Sequence, residues 1–193
     1  MTKKEVFKKE LEYIKKEDFK KSAENLLELV PDYFFEIPAA STGKYHPKFA
    51  QGAGGLVRHT KVAMAIANDI LSLEYTSKDF TSDEKDLMLI AILFHDTHKL
   101  GVPEEKYTRF DHPLLAANFI KKNQNVTTLN DEQIDFITKA ISSHMGQWNT
   151  SPYSDVVLPV PSDKYQFLVH KCDFLSSRKY INVDFNEKGD IIK

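Results

Sequence analysis

The chain has 193 residues and a mass of 22.2 kDa, with 41% hydrophobic and 28% charged side chains. That allows one domain, two at most, with a real core, and it excludes wholesale disorder. Lys and Arg number 26 against 28 Asp and Glu, a formal charge of −2, so bulk positive charge does not hold this chain on nucleic acid. The single cysteine, Cys172, leaves no intramolecular disulfide and no Cys-based zinc site. Seven histidines and 15 aspartates remain, and those residue types together make sites for hard or borderline metals. The start, MTKKEVFKKE, has lysines but no apolar core of a signal peptide. The most apolar run, Leu87 to Phe94, has 8 residues, far short of the ~20 that cross a bilayer. A reducing cytoplasm is the expected compartment, with no membrane partner.

In chain order, Val6, Phe7, Leu11 and Ile14 fall at helical spacing within 3–16. Phe19, Ala23, Leu26, Leu27 and Val30 continue as a second helix that stops at Pro31. Residues 37–55 hold two prolines and four glycines and read as a long loop, of a length that is usually functional or mobile. Val62, Ala63, Ile66, Ala67, Ile70 and Leu71 form a helical stripe between Leu56 and Leu73. Thr81 and Glu84 have the spacing of a capping box and open a strongly apolar helix that ends near His95-Asp96. Residues 98–110 form a loop, His112 to Lys122 a short amphipathic helix, and Asp131 to His144 another. Residues 146–162 read as loop, and Ser162 is expected to cap a last helix through Cys172 and Leu175. The tail alternates around a turn, which suits a small hairpin. The fold class expected is therefore all-α, with about seven helices and at most one hairpin. The expected layout of 1–193 is a single domain: N-terminal helices over 1–36, a core over 38–180 and a tail over 181–193.

His95-Asp96 alone is weak evidence, since this composition gives an expected number of roughly 0.5 such pairs by chance. Its position carries more. Two titratable residues at the end of the most apolar helix are costly to bury unless bonded or liganded. His59, His112, His144 and Asp173 share that situation, at helix ends or on a buried stripe. A lone histidine at a helix end is more often a cap or a satisfied core residue. Six such residues together point to a metal site, and four imidazoles with two carboxylates suffice for two ions sharing one carboxylate.

This pattern resembles the HD-domain metal-dependent phosphohydrolase superfamily. The resemblance rests on His59 in GGLVRHT, His95-Asp96 in ILFHDTHK and Asp173 in HKCDFLSSR, and it covers about residues 38 to 180. His112 in DHPLLAANFI and His144 in SSHMGQW match the two further histidines of the superfamily's binuclear branch. It implies that His59, His95, Asp96 and Asp173 hold one ion, and that Asp96 bridges to a second held by His112 and His144. The ions implied are two divalent transition metals (Mn, Fe, Ni, Co or Zn), with Mg as a further option. A bridging hydroxide would then attack phosphorus.

The family commonly has a small residue, Gly and Lys after His-Asp; here the stretch is Thr97-His98-Lys99. Lys99 is thus a candidate phosphate or leaving-group contact, and His98 stands where Gly is usual. It is a candidate proton donor to the leaving oxygen, with a surface histidine as the plain alternative. Lys44, Tyr45 and His46 could face substrate from the loop before the first ligand helix. Gln147 and Trp148 could stack on or bond a base, although a wall role suits Trp148 equally. Arg58 could hold phosphate. Arg178, five residues past Asp173, is a further candidate. His170 is read as supporting a ligand or lying on the surface, and Cys172 as packed in the core.

The function expected is hydrolysis of a nucleotide or other small phosphate ester. The alternatives are a diiron oxygenase of the same superfamily, as in myo-inositol oxygenase, and exonuclease-like action on short oligonucleotides. The near-neutral charge favours a compact ester over an extended nucleic acid. Homodimer formation stays open.

Overall fold

The computed structural model describes residues 2–41 and 46–192. Among them are nine α-helices: α1 (Lys3–Val6), α2 (Lys8–Leu11), α3 (Glu17–Leu29), α4 (Gly55–Ser72), α5 (Glu74–Ser77), α6 (Ser82–Phe94), α7 (His112–Lys122), α8 (Asp131–Ser142) and α9 (Lys164–Ser176). Short 3-10 turns at Asp32–Phe35, Lys48–Ala50 and Gln124–Val126 join them. No strand occurs among the described residues, so the fold is all-α.

Helix α6 is the hub. Every residue from Asp86 to Phe94 is buried, and a helix apolar on all sides must be enclosed by others. Helices α3, α4, α8 and α9 pack against it, and α7 lies on α8. Ile90 and Phe94 are completely buried, and cutting such a side chain back to Ala costs roughly 2–5 kcal/mol. The expected capping box is present: Thr81 Oγ1 accepts the Glu84 N–H at 3.2 Å, and Glu84 Oε2 accepts the Thr81 N–H at 2.7 Å. Asn130 and Gln133 form a second such box on α8.

Several expectations need correction. The N-terminal stretch is two short helices, not one, because Phe7 leaves helical geometry (φ −104°, ψ 18°) and stacks on Phe34 at 6.0 Å. That break, together with α5, raises the count from seven to nine. Asp163, not Ser162, caps α9: its carboxylate accepts the Gln166 N–H at 2.8 Å. The C-terminal hairpin reduces to a single antiparallel bridge between Phe185 and Ile191. The tail's polar groups are engaged elsewhere. Lys61 Nζ on α4 bonds the Gly189 carbonyl at 2.8 Å, and Asp190 pairs with Lys9 of α2 at 3.0 Å.

Among the described residues no helix is long and apolar enough to cross a membrane.

Candidate metal centre

The six residues singled out above converge at the bottom of this bundle. His59 lies in the second turn of α4, whose start is set by Gly55; a Cβ there would collide with the Ala50 carbonyl. His95 and Asp96 follow directly on α6, His112 opens α7, His144 lies just beyond α8, and Asp173 sits in α9. Five are essentially enclosed, with side-chain exposures of 4% or less, whereas Asp173 keeps 21%. The centre therefore meets solvent beside Asp173.

Each ring is held by its Nδ1. His95 Nδ1 lies 2.6 Å from the Ile92 carbonyl, His112 Nδ1 2.7 Å from the Arg109 carbonyl, and His144 Nδ1 2.7 Å from the Ile141 carbonyl. A carbonyl only accepts, so each Nδ1 carries the proton and each Nε2 presents a lone pair. His59 reaches the same state through Ser176. That hydroxyl donates to the Asp173 carbonyl at 2.8 Å and so accepts from His59 Nδ1 at 3.1 Å. Four Nε2 lone pairs thus face one space.

Asp96 divides that space. Its Oδ2 lies 3.5 Å from His95 Nε2 and 3.8 Å from His59 Nε2, and also pairs with Lys99 Nζ. Its Oδ1 lies 3.0 Å from His112 Nε2 and 3.7 Å from His144 Nε2. Asp173 Oδ1 stands 3.0 Å from His59 Nε2 and 3.4 Å from His95 Nε2. Among the described residues, two sets of three ligand atoms fall within 4.8 Å of one another: His59, His95 and Asp173, and His95, Asp96 and His144. His95 is common to both.

The electrostatics suit cations. Burial opposes the charge on Asp96, yet Lys99 and the His95 and His112 rings hold it well below the usual carboxylate range. Burial likewise opposes the charge on Asp173, and the His59 and His95 rings outweigh it. Burial, then His95, pushes His144 down to about 3, so its ring is neutral. Burial disfavours protonated His95, but Asp96 and Asp173 more than reverse that, so a proton and a metal ion compete for its Nε2.

Whether the residues fit divalent ions is tested by the buried polar atoms without hydrogen-bond partners. Among the described residues these include Nε2 of His59, His95 and His112 and Oδ1 of Asp96. Buried polar groups are almost always bonded, and these four converge. Imidazole and carboxylate are the donor set of Zn, Fe, Ni and Mn sites. The residues fit a divalent metal.

The remaining candidates are distributed unevenly. Lys99 is at the centre through Asp96. His46 reaches it too: its ring lies 5.1 Å from that of His59, and burial, then His59, pushes it down to about 3. Lys44 and Tyr45 lie outside the described residues. The His98 ring packs on Phe119 at 4.6 Å, and burial pushes it down to about 4. It is neutral near neutral pH, so its surroundings do not support the proton donation expected of it, and it is not the surface histidine of the alternative. Arg58 is committed to the 49–51 backbone, donating from Nε to the Phe49 carbonyl at 2.5 Å and from Nη2 to the Gln51 carbonyl at 2.9 Å. Trp148 is 45% exposed rather than a buried wall, and it stacks on Phe174 at 5.7 Å. The Arg178 guanidinium covers the same Phe174 ring at 3.9 Å, and Gln147 is exposed beside Trp148.

Sequence reasoning missed one support. Ser176 sets the His59 tautomer, and nothing in a lone Ser at a helix end signals this. His170 takes the first of its two expected places: its Nδ1 donates to the His144 carbonyl at 2.7 Å, and Gly146 (φ +59°) leaves room for its ring, which a Cβ would strike.

The model of the HD domain family matches residues 55–178. No curated protein and no solved structure matches the chain. The matched span contains His59, His95, Asp96, His112, His144 and Asp173 and covers well over half of the sequence; the chain belongs to the HD-domain family, whose superfamily is mostly metal-dependent hydrolases.

Proposed function

We propose that this chain hydrolyses a small phosphate ester, a nucleotide first of all, with two divalent ions held by His59, His95, Asp96, His112, His144 and Asp173. The observation that carries this reading is the split of Asp96: each carboxylate oxygen faces a separate pair of imidazole Nε2 atoms. That is the arrangement of a carboxylate shared by two ions. Bound there, divalent ions would supply Lewis acidity toward a phosphoryl oxygen and lower the pKa of water. The chain's own part is geometric. Backbone carbonyls and Ser176 hold the four rings in the Nδ1–H form. Lys99, paired with Asp96, would meet a phosphoryl oxygen bound beside that carboxylate. The 21% exposure of Asp173 supports access of the phosphate along α9, where Arg178 offers a guanidinium. Burial of the four histidines lowers the local dielectric and strengthens the charge interactions there.

The test is metal analysis of protein purified without chelator, with a substrate panel. Near two ions per chain, and release of phosphate from nucleotides with Mn²⁺, Co²⁺, Ni²⁺ or Fe²⁺, are expected. Oxygen uptake with Fe²⁺ and no phosphate release would replace the reading by the oxygenase. Turnover confined to short oligonucleotides would replace the substrate class. Full activity in Asp96→Ala would remove the mechanism altogether.

A further inference from the structure

Beside the centre, on the side of His112, lies an open cleft of about 520 Å³ between the 105–112 segment and the 145–156 loop. The volume falls within the roughly 300–1,000 Å³ of small-molecule sites. None of its other lining residues belongs to the six, and neither the Trp148 face nor Arg178 borders it. One of the six, His112, is among its lining residues; its Nε2 is buried, has no hydrogen-bond partner and stands 3.0 Å from Asp96 Oδ1. The cleft and the Oδ1 half of the centre thus meet at the His112 ring, while the Asp173 opening lies on the His59–His95 side.

Its walls have a definite chemistry. Glu105 and Asp111 bring two carboxylates, and Arg109 is the one cation among the lining residues. Arg109 is already committed: Nε and Nη2 donate to the two Asp111 oxygens at 2.8 Å each, and Nη1 donates to Glu105. Two carboxylates against one guanidinium leave the wall net negative by one charge. A phosphate would be repelled here, and hydrogen-bond donors would be welcomed, since each carboxylate has lone pairs that Arg109 does not fill. Thr108, Ser151 and Ser154 add hydroxyls that donate or accept. Tyr153, 96% exposed at the tip of the Ser151–Ser154 turn, offers an unused aromatic face at the rim.

An uncharged group with several hydroxyls and a flat ring, attached to a phosphate that stays outside the cleft, satisfies all of this. We propose that the cleft binds the nucleoside part of the substrate, with sugar hydroxyls donating to Asp111 and Glu105 and the base on Tyr153, while the phosphate lies at the centre. This rests on the phosphohydrolase reading above and adds the subsite that selects the organic group.

The test uses adenosine and uridine, which carry no phosphate, and follows binding to the full chain by saturation-transfer NMR and calorimetry. Ser154→Trp fills the cleft. Its expected effect is a weakening of nucleoside binding by about tenfold, or about 1.4 kcal/mol. Tyr153→Ala, at a position too exposed to threaten folding, is expected to weaken binding by about threefold, in line with loss of one stacking contact. Inorganic phosphate added to the Mn²⁺-loaded protein should leave nucleoside binding in place. The proposal is overturned if neither nucleoside binds, if both variants bind like the parent, or if phosphate displaces the nucleoside. Because adenosine and uridine contain no phosphate ester, these outcomes are separate from a failure of hydrolysis, which would strike the proposed function alone.

Discussion

Asp86 lies in the second turn of α6 and Asp96 just beyond its C-terminus, and both are almost wholly enclosed, at 1% and 2% exposure. Asp86 is fully answered. Its two oxygens accept the Lys15 N–H at 3.0 and 3.1 Å and the Lys16 N–H at 2.8 Å, which pins the approach to α3 onto α6. Asp96 has Lys99 on Oδ2, but its Oδ1 has no hydrogen-bond partner and faces two imidazole lone pairs. One carboxylate closes a structural account and the other leaves one open. A buried charge is informative about function in proportion to what the protein itself does not supply to it.

That contrast can be broken by experiment. Asp96→Asn should lower metal-dependent turnover per folded molecule by more than about a hundredfold, beyond the range of changes to residues that merely support a ligand. Comparable turnover in the two proteins would erase the distinction. Asp86→Ala should act in reverse. Losing an acceptor for buried backbone amides should cost about 3 kcal/mol in denaturant unfolding, with turnover per folded molecule retained. A stability loss under about 1 kcal/mol would mean those bonds hold little.

Ser176→Ala sharpens the comparison at a residue that positions a ligand. Freed from Ser176, the His59 ring can take the wrong tautomer, and metal affinity should fall about tenfold. Ser176→Thr should restore it, which a purely structural role would not require.

Acid should weaken the fold through His98. Its value falls from the ordinary 6.5 to about 4 because it is buried. As the pH drops below 6.5 the unfolded chain takes up this proton and the folded chain does not, so stability present above 6.5 is lost progressively toward about 4. His46 and His144, pushed down to about 3, add to the same limb, so His98→Leu should make it shallower without removing it; an unchanged limb would show that the proton enters without unfolding. The smallest effect is an absence. Burial pushes the Cys172 thiol up to about 12, so it should ignore thiol reagents in the folded protein and react only on unfolding.

Much of this could be read from residues in order. The α6 run, the Thr81–Glu84 box and the boundaries of α7 follow from apolar spacing and local capping, which depend on neighbours within a turn or two. The six ligand positions were legible because polar residues at the ends of apolar helices are costly without a partner. The break at Phe7 was not, because a phenylalanine at helical spacing looks the same whether its helix continues or yields to stacking on Phe34. Nor were the roles of Asp86 and Ser176, whose partners lie 70 and 117 residues away, nor which carbonyl His170 would bond. His98 looked like a group beside the chemistry and proved to be packed on Phe119.

The order of residues alone therefore determined the helical class, the family and which side chains are candidates for metal. Tertiary structure alone decided the rest: which nitrogen of each ring faces inward, that the two oxygens of Asp96 serve different histidines, that the centre opens beside Asp173, and that a separate acidic cleft meets it at His112. Those facts depend on carbonyls and hydroxyls brought together from distant helices. No local periodicity records such distances, because they are set only when α4, α6, α8 and α9 close on one another.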